Sequence, residues 1–126
     1  MTVVADRLAM IRGMSPRLLP GCVAFRTLGP GEPVPRSARG WFREDEGVSV
    51  IEAAHAGQAG AMRQITLDLH SSLDGVGLTA AVAGALAEAG IACNMVAAHH
   101  HDHAFVPEAD AERALEILQT LARTAE

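Results

Sequence analysis

The chain has 126 residues, of which 49% are hydrophobic and 3% aromatic, so it can bury the aliphatic core of one compact domain. The formal net charge of −5 argues against nucleic acid as a partner, because phosphate binding needs a basic face. No apolar run approaches the roughly 20 residues that span a bilayer, and no secretion signal is evident. We therefore expect a cytoplasmic protein without a membrane partner.

The first half predicts one short helix followed by strands. Val4, Leu8 and Ile11 have the spacing of an amphipathic helix that ends near Gly13. The elements that follow are a strand over residues 21–28, a loop rich in proline and glycine over residues 29–39, a hairpin of residues 41–43 and 48–51, and a loop of small residues over 53–61.

The sequence makes three predictions about which side chains are buried and which are exposed. Cys22 and Cys93 fall in apolar strand patterns and are expected to be buried free thiols in a reducing compartment. Trp41 and Phe42 are expected to seal the core between the two halves of the chain. The acidic run over residues 44–46 predicts a solvated loop tip.

Residues 62–124 carry the most regular pattern, strand–helix–strand–strand–helix. Ile65, Leu67 and Leu69 alternate with polar residues, as in a strand with one buried face. Apolar residues then recur at helical spacing until Gly90, which tolerates the positive φ of a helix end. The remaining predictions are a strand over residues 91–98, a polar break over 99–102, a strand over 104–106 and a helix capped by Asp110.

The turn between the first strand and first helix of this pattern is the predicted ligand site. Free amides at a helix N-terminus favour a carboxylate, and glycine lets a ligand approach the backbone closely. The serines and Asp74 could hold an ammonium group. The alternative is that Asp74 or a serine only caps the helix. The predicted site residues are Ser71, Ser72, Asp74, Gly75, Val76 and Gly77.

The tract from His99 to His103 is the densest run of potential metal ligands. Residues two apart on a strand share a face, so His99, His101 and His103 could converge on one Zn²⁺ with Asp102 in support. The tract also falls at a predicted turn between strands, where solvated histidines are common. No nucleophile accompanies His103 and Asp102, so no catalytic role is expected.

Residues 65–96 resemble an ACT domain, the small regulatory module attached to many enzymes of amino-acid metabolism. The similarity to aspartokinase-type ACT units lies in Asp74-Gly75-Val76-Gly77 and the following Ala85-Leu86-Ala87-Glu88-Ala89-Gly90-Ile91. Residues 10–124 also resemble short, free-standing bacterial proteins built from two ACT-like units. That similarity includes Phe42-Arg43-Glu44-Asp45-Glu46-Gly47 and Val76-Gly77-Leu78-Thr79-Ala80-Ala81-Val82.

The resemblance implies an α+β, ferredoxin-like (ACT) sandwich, in which an antiparallel sheet carries helices on one face and strands are shared between two ACT-like units. Residues 1–61 would form an N-terminal ACT-like unit and residues 62–126 a C-terminal ACT unit of order βαββα. Because the last strand of the βαββαβ order is missing, a first-half strand should cover the edge of residues 65–69. Residues 21–28 are the first choice and residues 48–51 the second. A homodimer is also expected, since ACT units usually pair.

Two departures from the resemblance affect the candidate site. Amino-acid-binding ACT domains of the aspartokinase type often have asparagine where this chain has Ala92, and Asn94 follows two positions later. Asn94 would either contact a ligand at the turn or bond to backbone. Similar proteins keep only the last three residues of the histidine tract, which leaves His101 and His103 as metal candidates. We expect neither a metal nor a cofactor.

Together these features predict a regulatory or sensor protein that binds a small amino acid or similar effector and has no catalytic activity. One alternative is a structural module that dimerises without a ligand. The other is a metal-binding or hydrolytic protein that uses the histidine tract.

Overall fold

The computed structural model describes residue 3 and residues 6–126, so Val4 of the predicted first helix lies outside the described residues. Helices and strands alternate irregularly in the first half and as βαββα in the second. The elements are α1 Arg7–Arg12, β1 Pro16–Leu18, β2 Cys22–Thr27, β3 Gly40–Glu44, β4 Gly47–Ala54, β5 Met62–Leu67, α2 Leu78–Glu88, β6 Asn94–Ala97, β7 Asp102–Pro107 and α3 Ala111–Thr124, which a 3-10 turn, Glu108–Asp110, precedes.

The described strands form one antiparallel sheet. Its order is β3-β4-β2-β5-β7-β6, and β1 also pairs with β5. Within it β5, α2, β6, β7 and α3 follow the βαββα order, with β5 between β7 and β1. The sequence prediction of an α+β, ferredoxin-like ACT fold with strands shared between the two halves is therefore confirmed.

The strand that covers the outer edge of β5 is β1. Pro16 lies opposite Leu67 and Leu18 opposite Ile65, and the Leu19 amide donates to the Gln64 carbonyl at 2.9 Å. The choice of residues 21–28 is wrong, because β2 meets β5 at a single pair, Val23 opposite Met62. The second choice, residues 48–51, is also wrong, because β4 pairs with β2 and β3.

The helices pack on one face of the sheet, as the alternation of buried side chains requires. Ile65 and Leu67 of β5 and Ala104 and Val106 of β7 face this core. The helices add residues that are almost fully buried, including Met10, Val82, Leu86 and Leu118. On the opposite face Val23, Ile51 and Phe105 form a second, smaller cluster.

Helix α1 is short but well anchored. The Ala9 amide donates to the Asp6 carboxylate at 2.9 Å, which caps the N-terminus, and Gly13 caps the other end. Met10 and Ile11 are buried in the main core. The predicted helix ending near Gly13 is therefore confirmed within the described residues.

The ends of the later helices agree only in part with the sequence prediction. Helix α2 stops before Gly90, which has φ of 73°, as predicted. Its N-cap is Gly77, with no capping bond from a side chain, so the prediction that Asp74 or a serine caps it is wrong. Asp110 is the N-cap of α3, but its carboxylate accepts from Arg113 rather than from backbone.

Other predictions about the burial of side chains are confirmed only in part. Trp41 and Phe42 are 52% and 73% exposed, so the prediction that they seal the core is wrong, because β3 lies at the outer edge of the sheet. The acidic run over residues 44–46 is solvated, as predicted. Cys22 and Cys93 are free but half-buried, and Cys93 precedes β6 rather than lying in it.

The first half of the chain joins the second through the sheet. Residues 6–61 contribute one short helix and four strands. The assignment of residues 1–61 to an ACT-like unit of their own stays a prediction. Among the described residues, no helix has both the length and the apolar character needed to cross a membrane.

Candidate ligand-binding site

A cavity of about 130 Å³ lies where α1, the segment after β5, the start of α2 and the β6–β7 hairpin meet. It is smaller than the roughly 300–1,000 Å³ clefts that hold drug-sized ligands, so it suits a compact ligand. Its lining residues are Met10, Ser71, Ser72, Leu73, Gly75, Gly77, Leu78, Thr79, Ala97 and Asp102.

The N-terminus of α2 forms one side of this cavity. The first amides of a helix lack partners within the helix, and no side chain in the described part of the chain caps those of α2. The first turn of α2 also contains no acidic residue. Because the helix dipole adds positive potential there, Leu78 and Thr79 present a surface that favours a carboxylate.

Asp102 brings a buried carboxylate to the same cavity. It is the first residue of β7 and shares the helix-facing side of the strand with Ala104 and Val106. The residue is 8% exposed, and its carboxylate oxygens, which accept no hydrogen bond from the described residues, remain in contact with solvent in the cavity. Burial raises the pKa of Asp102, since desolvation disfavours the charged form.

The two serines of the turn have different roles. The Ser72 hydroxyl accepts a bond from the Asp74 amide at 3.1 Å, and the Ser72 carbonyl accepts from the Gly75 amide at 3.0 Å. Ser72 therefore holds the turn in shape. Ser71 is buried and lines the cavity, so its hydroxyl is the one placed to meet a ligand.

The glycines of the turn are needed because α1 packs against them. A Cβ added to Gly75 would lie 2.9 Å from Met10 Sδ, and one added to Gly77 would lie 2.7 Å from Arg7 Cδ. Gly77 also has φ of 109°, which other residues rarely adopt. These contacts make α1 a wall of the cavity.

The structure brings together four of the seven predicted ligand-binding residues: Ser71, Ser72, Gly75 and Gly77 line the cavity. Asp74 and Val76 lie outside it, and Val76 is 79% exposed. Asn94 lies at the far end of β6, paired with Phe105, and its amide approaches Met62 Sδ at 3.9 Å.

The cavity also includes residues that the sequence prediction did not contain. Met10 comes from α1, and Ala97 pairs with Asp102 at the end of the β6–β7 hairpin. Alternation from Ala104 and Val106 back along the strand could have placed Asp102 on the helix-facing side. Its position in the histidine tract concealed that signal.

The histidine tract does not converge on one point. His101 Nδ1 lies 3.2 Å from the Leu69 carbonyl, whereas His103 Nδ1 lies 3.0 Å from Thr66 Oγ1. Burial lowers the pKa of His103. Within residues 6–126, no three or more His, Cys, Asp or Glu side chains are grouped to hold a metal ion. The alternative with His99, His101 and His103 on one Zn²⁺ is therefore wrong.

Two grooves with larger volumes, about 390 and 400 Å³, lie on the helix surfaces. The first runs along α1, α2 and the C-terminus, and the second along α3. Their charged lining residues, such as Glu88 and Arg113, are exposed. Neither groove presents a buried polar side chain to a ligand, unlike the cavity at Asp102.

The chain is similar to known proteins in both sequence and structure. An ACT domain family model matches residues 61–120. A protein of unknown function from Vibrio cholerae, described as a possible transport protein, is 37% identical with a TM-score of 0.74, over 91% of this chain and 94% of that one. The chain belongs to the same family as this protein, and it contains an ACT domain, a regulatory, ligand-binding unit in general.

Two further structures share the fold at lower identity. A protein from Agobacterium tumefaciens has a TM-score of 0.64 at 20% identity, over 85% of this chain and 87% of that one. Aspartokinase alpha and beta subunits have a TM-score of 0.62 at 12% identity, over 86% of this chain and 97% of the other. No curated protein matches the chain.

The raised pKa of Asp102 predicts a pH-dependent gain in stability for Asp102→Asn. A carboxyl group whose folded pKa exceeds its unfolded value of about 3.9 lowers stability as pH rises through that range. Without ligand, the variant should therefore melt at a higher temperature than the parent at neutral pH. The difference should disappear at low pH, where both states are protonated, as thermal melts across the pH range would measure. A variant that is less stable at neutral pH would contradict this.

Proposed function

We propose that the protein is a regulator or sensor that binds a small amino acid or a similar zwitterion in this cavity. The observation that carries the proposal is the pairing of two opposite features in one small space. The buried carboxylate of Asp102 and the uncapped N-terminus of α2 both line it.

These two features match the two charges of an amino acid. The free amides at Leu78 and Thr79 would bind the α-carboxylate, with the helix dipole in support. Asp102 would accept hydrogen bonds from the α-ammonium group, and the Ser71 hydroxyl could share them. The ligand would thus replace the water that solvates the Asp102 carboxylate with a fixed, charged partner.

Selection among amino acids would come from the size of the cavity. Met10, Leu78 and Ala97 form apolar parts of its lining. At about 130 Å³, it favours small side chains over aromatic or branched ones. Met10 is almost fully buried in the core, so a bulky ligand would have to displace α1.

Binding would connect elements that otherwise meet only through packing. The ligand would contact α2, β7 and α1, and Arg12 of α1 donates to the Ala125 carbonyl beyond α3. A ligand shifts a conformational equilibrium by its preference for one state. Stiffening of these helices would therefore be the signal that a partner subunit or enzyme detects.

A thermal-shift screen with the twenty amino acids, followed by calorimetry on each that raises the melting temperature, tests the proposal. Small amino acids should stabilise the parent chain. Asp102→Asn should weaken their binding at least about tenfold, because a hydrogen bond to a charged group contributes about 1.5–3 kcal/mol. Asp74→Asn is the matched control and should bind like the parent, since Asp74 is exposed and outside the cavity.

Equal loss of affinity in both variants would contradict this site, as would unchanged affinity in Asp102→Asn. If no amino acid raises the melting temperature, the alternative of a structural module without a ligand is favoured.

We propose that the protein is a homodimer, as ACT domains commonly dimerise. The edge strand β3 exposes Trp41 and Phe42, which supports pairing through this edge. Sedimentation at high micromolar concentration should show a dimer, and Phe42→Asp should weaken it while Arg43→Ser, on the same exposed strand, should not. A monomeric parent chain would contradict the dimer, and a dimer unaffected by Phe42→Asp would contradict this edge.

A further inference from the structure

Two imidazoles from separate segments meet at the surface beside the cavity. His70 follows β5, and His100 lies in the turn over residues 98–101, which the Ala98 amide closes on the His101 carbonyl at 3.0 Å. His100 Nδ1 lies 3.4 Å from His70 Nε2. The ring of His99 lies 4.9 Å from that of His100, between centroids.

We propose that His70 Nε2 and His100 Nδ1 form a two-nitrogen binding site for Zn²⁺. Zinc binds imidazole nitrogen at about 2.0–2.1 Å with tetrahedral geometry, which places two such nitrogens about 3.3–3.4 Å apart. The observed separation of 3.4 Å meets this requirement. Zinc could bind without a rearrangement of the backbone.

The same separation is long for a hydrogen bond between the rings. Bonds of the N–H type prefer about 2.9–3.0 Å, so the direct contact between the imidazoles contributes little. Each ring nitrogen at the contact is therefore available to a cation. The exposure of His100 leaves the site open to solvent.

The site has two protein ligands and an open half. No third His, Cys, Asp or Glu joins them in a metal-binding group within the described ranges. The two remaining positions of a tetrahedral ion would be filled by water or by an exogenous ligand, one more than in catalytic zinc sites, which have three protein ligands. This is a site of modest affinity rather than a structural zinc site.

His101 and His103 of the tract do not belong to this site. His101 Nδ1 approaches the Leu69 carbonyl, and His103 Nδ1 approaches Thr66. Both nitrogens are thus engaged elsewhere. The sequence left His101 and His103 as metal candidates, whereas the site proposed here uses His70, which lies outside the tract.

The position of the site relates it to the cavity. His70 directly precedes Ser71, and His100 lies two residues before Asp102. Each of the two histidines is therefore close in sequence to a residue that lines the cavity. A zinc ion would tie the segment after β5 to the β6–β7 hairpin. It would thereby fix two walls of the cavity, whether or not the cavity binds an amino acid.

A calorimetric titration of the tag-free chain with Zn²⁺ alone tests the proposal. It is carried out at about pH 7.5, where imidazole is largely neutral. The parent should bind one ion per chain. His70→Asn and His100→Asn should each lower the affinity at least about tenfold, the lower end of what even outer-shell partners of metal ligands contribute. The control is His55→Asn, an exposed histidine in the loop after β4, which should bind like the parent.

Melting curves without metal establish that the variants fold, and the lack of any amino acid in the titration keeps this test separate from that of the proposed function. Unchanged affinity in His70→Asn or in His100→Asn would overturn the site. So would a loss in His55→Asn as large as in those two variants, because it would show diffuse binding to surface histidines.

Discussion

The pairing of β1 with β5 is the contact on which the rest of the structure depends. The βαββα order from β5 to α3 provides no strand for the outer edge of β5, although Ile65 and Leu67 are fully buried. Three residues of β1 cover that edge, and Ser15 accepts φ of 44° where the chain turns from α1 into β1. The same segment carries α1, which therefore comes to rest against the turn before α2. The pairing that covers the edge of β5 therefore also places α1 as a wall of the cavity.

The candidate site follows from that arrangement because its parts come from distant segments. Among the described residues that line the cavity, Asp102 is the only charged one, and the first turn of α2 has no acidic residue. A region of negative potential and a region of positive potential therefore face the same space. Water can solvate both, but a zwitterion of the right length would replace it with fixed partners. Glycine at positions 75 and 77 allows α1 to approach closely enough to enclose the space. The sheet thus supplies Asp102, the dipole of α2 supplies positive potential, and α1 encloses the cavity.

Sequence patterns were sufficient where structure is local. Alternation in β5 and helical spacing in α2 and α3 predicted the βαββα order, and four cavity residues followed from the glycine-containing turn. β1 has three residues, too few to show alternation. Asn94 is the first residue of β6 and so lies at the end of the strand remote from the turn, a position that the apolar pattern of residues 91–98 does not indicate. The contact of His70 with His100 joins residues 30 apart, and no local pattern encodes the meeting of two turns.

We propose that an amino acid binds between Asp102 and the first turn of α2. Titration of isotope-labelled protein with small amino acids, followed by amide chemical shifts, tests this most directly because it reports position as well as binding. Binding at this position should give the largest saturable shifts at the amides of Leu78 and Thr79 and around Asp102, with smaller changes in α1. Shifts confined to the α3 groove or to the Asn94 end of β6, or the absence of shifts with all twenty amino acids, would contradict it.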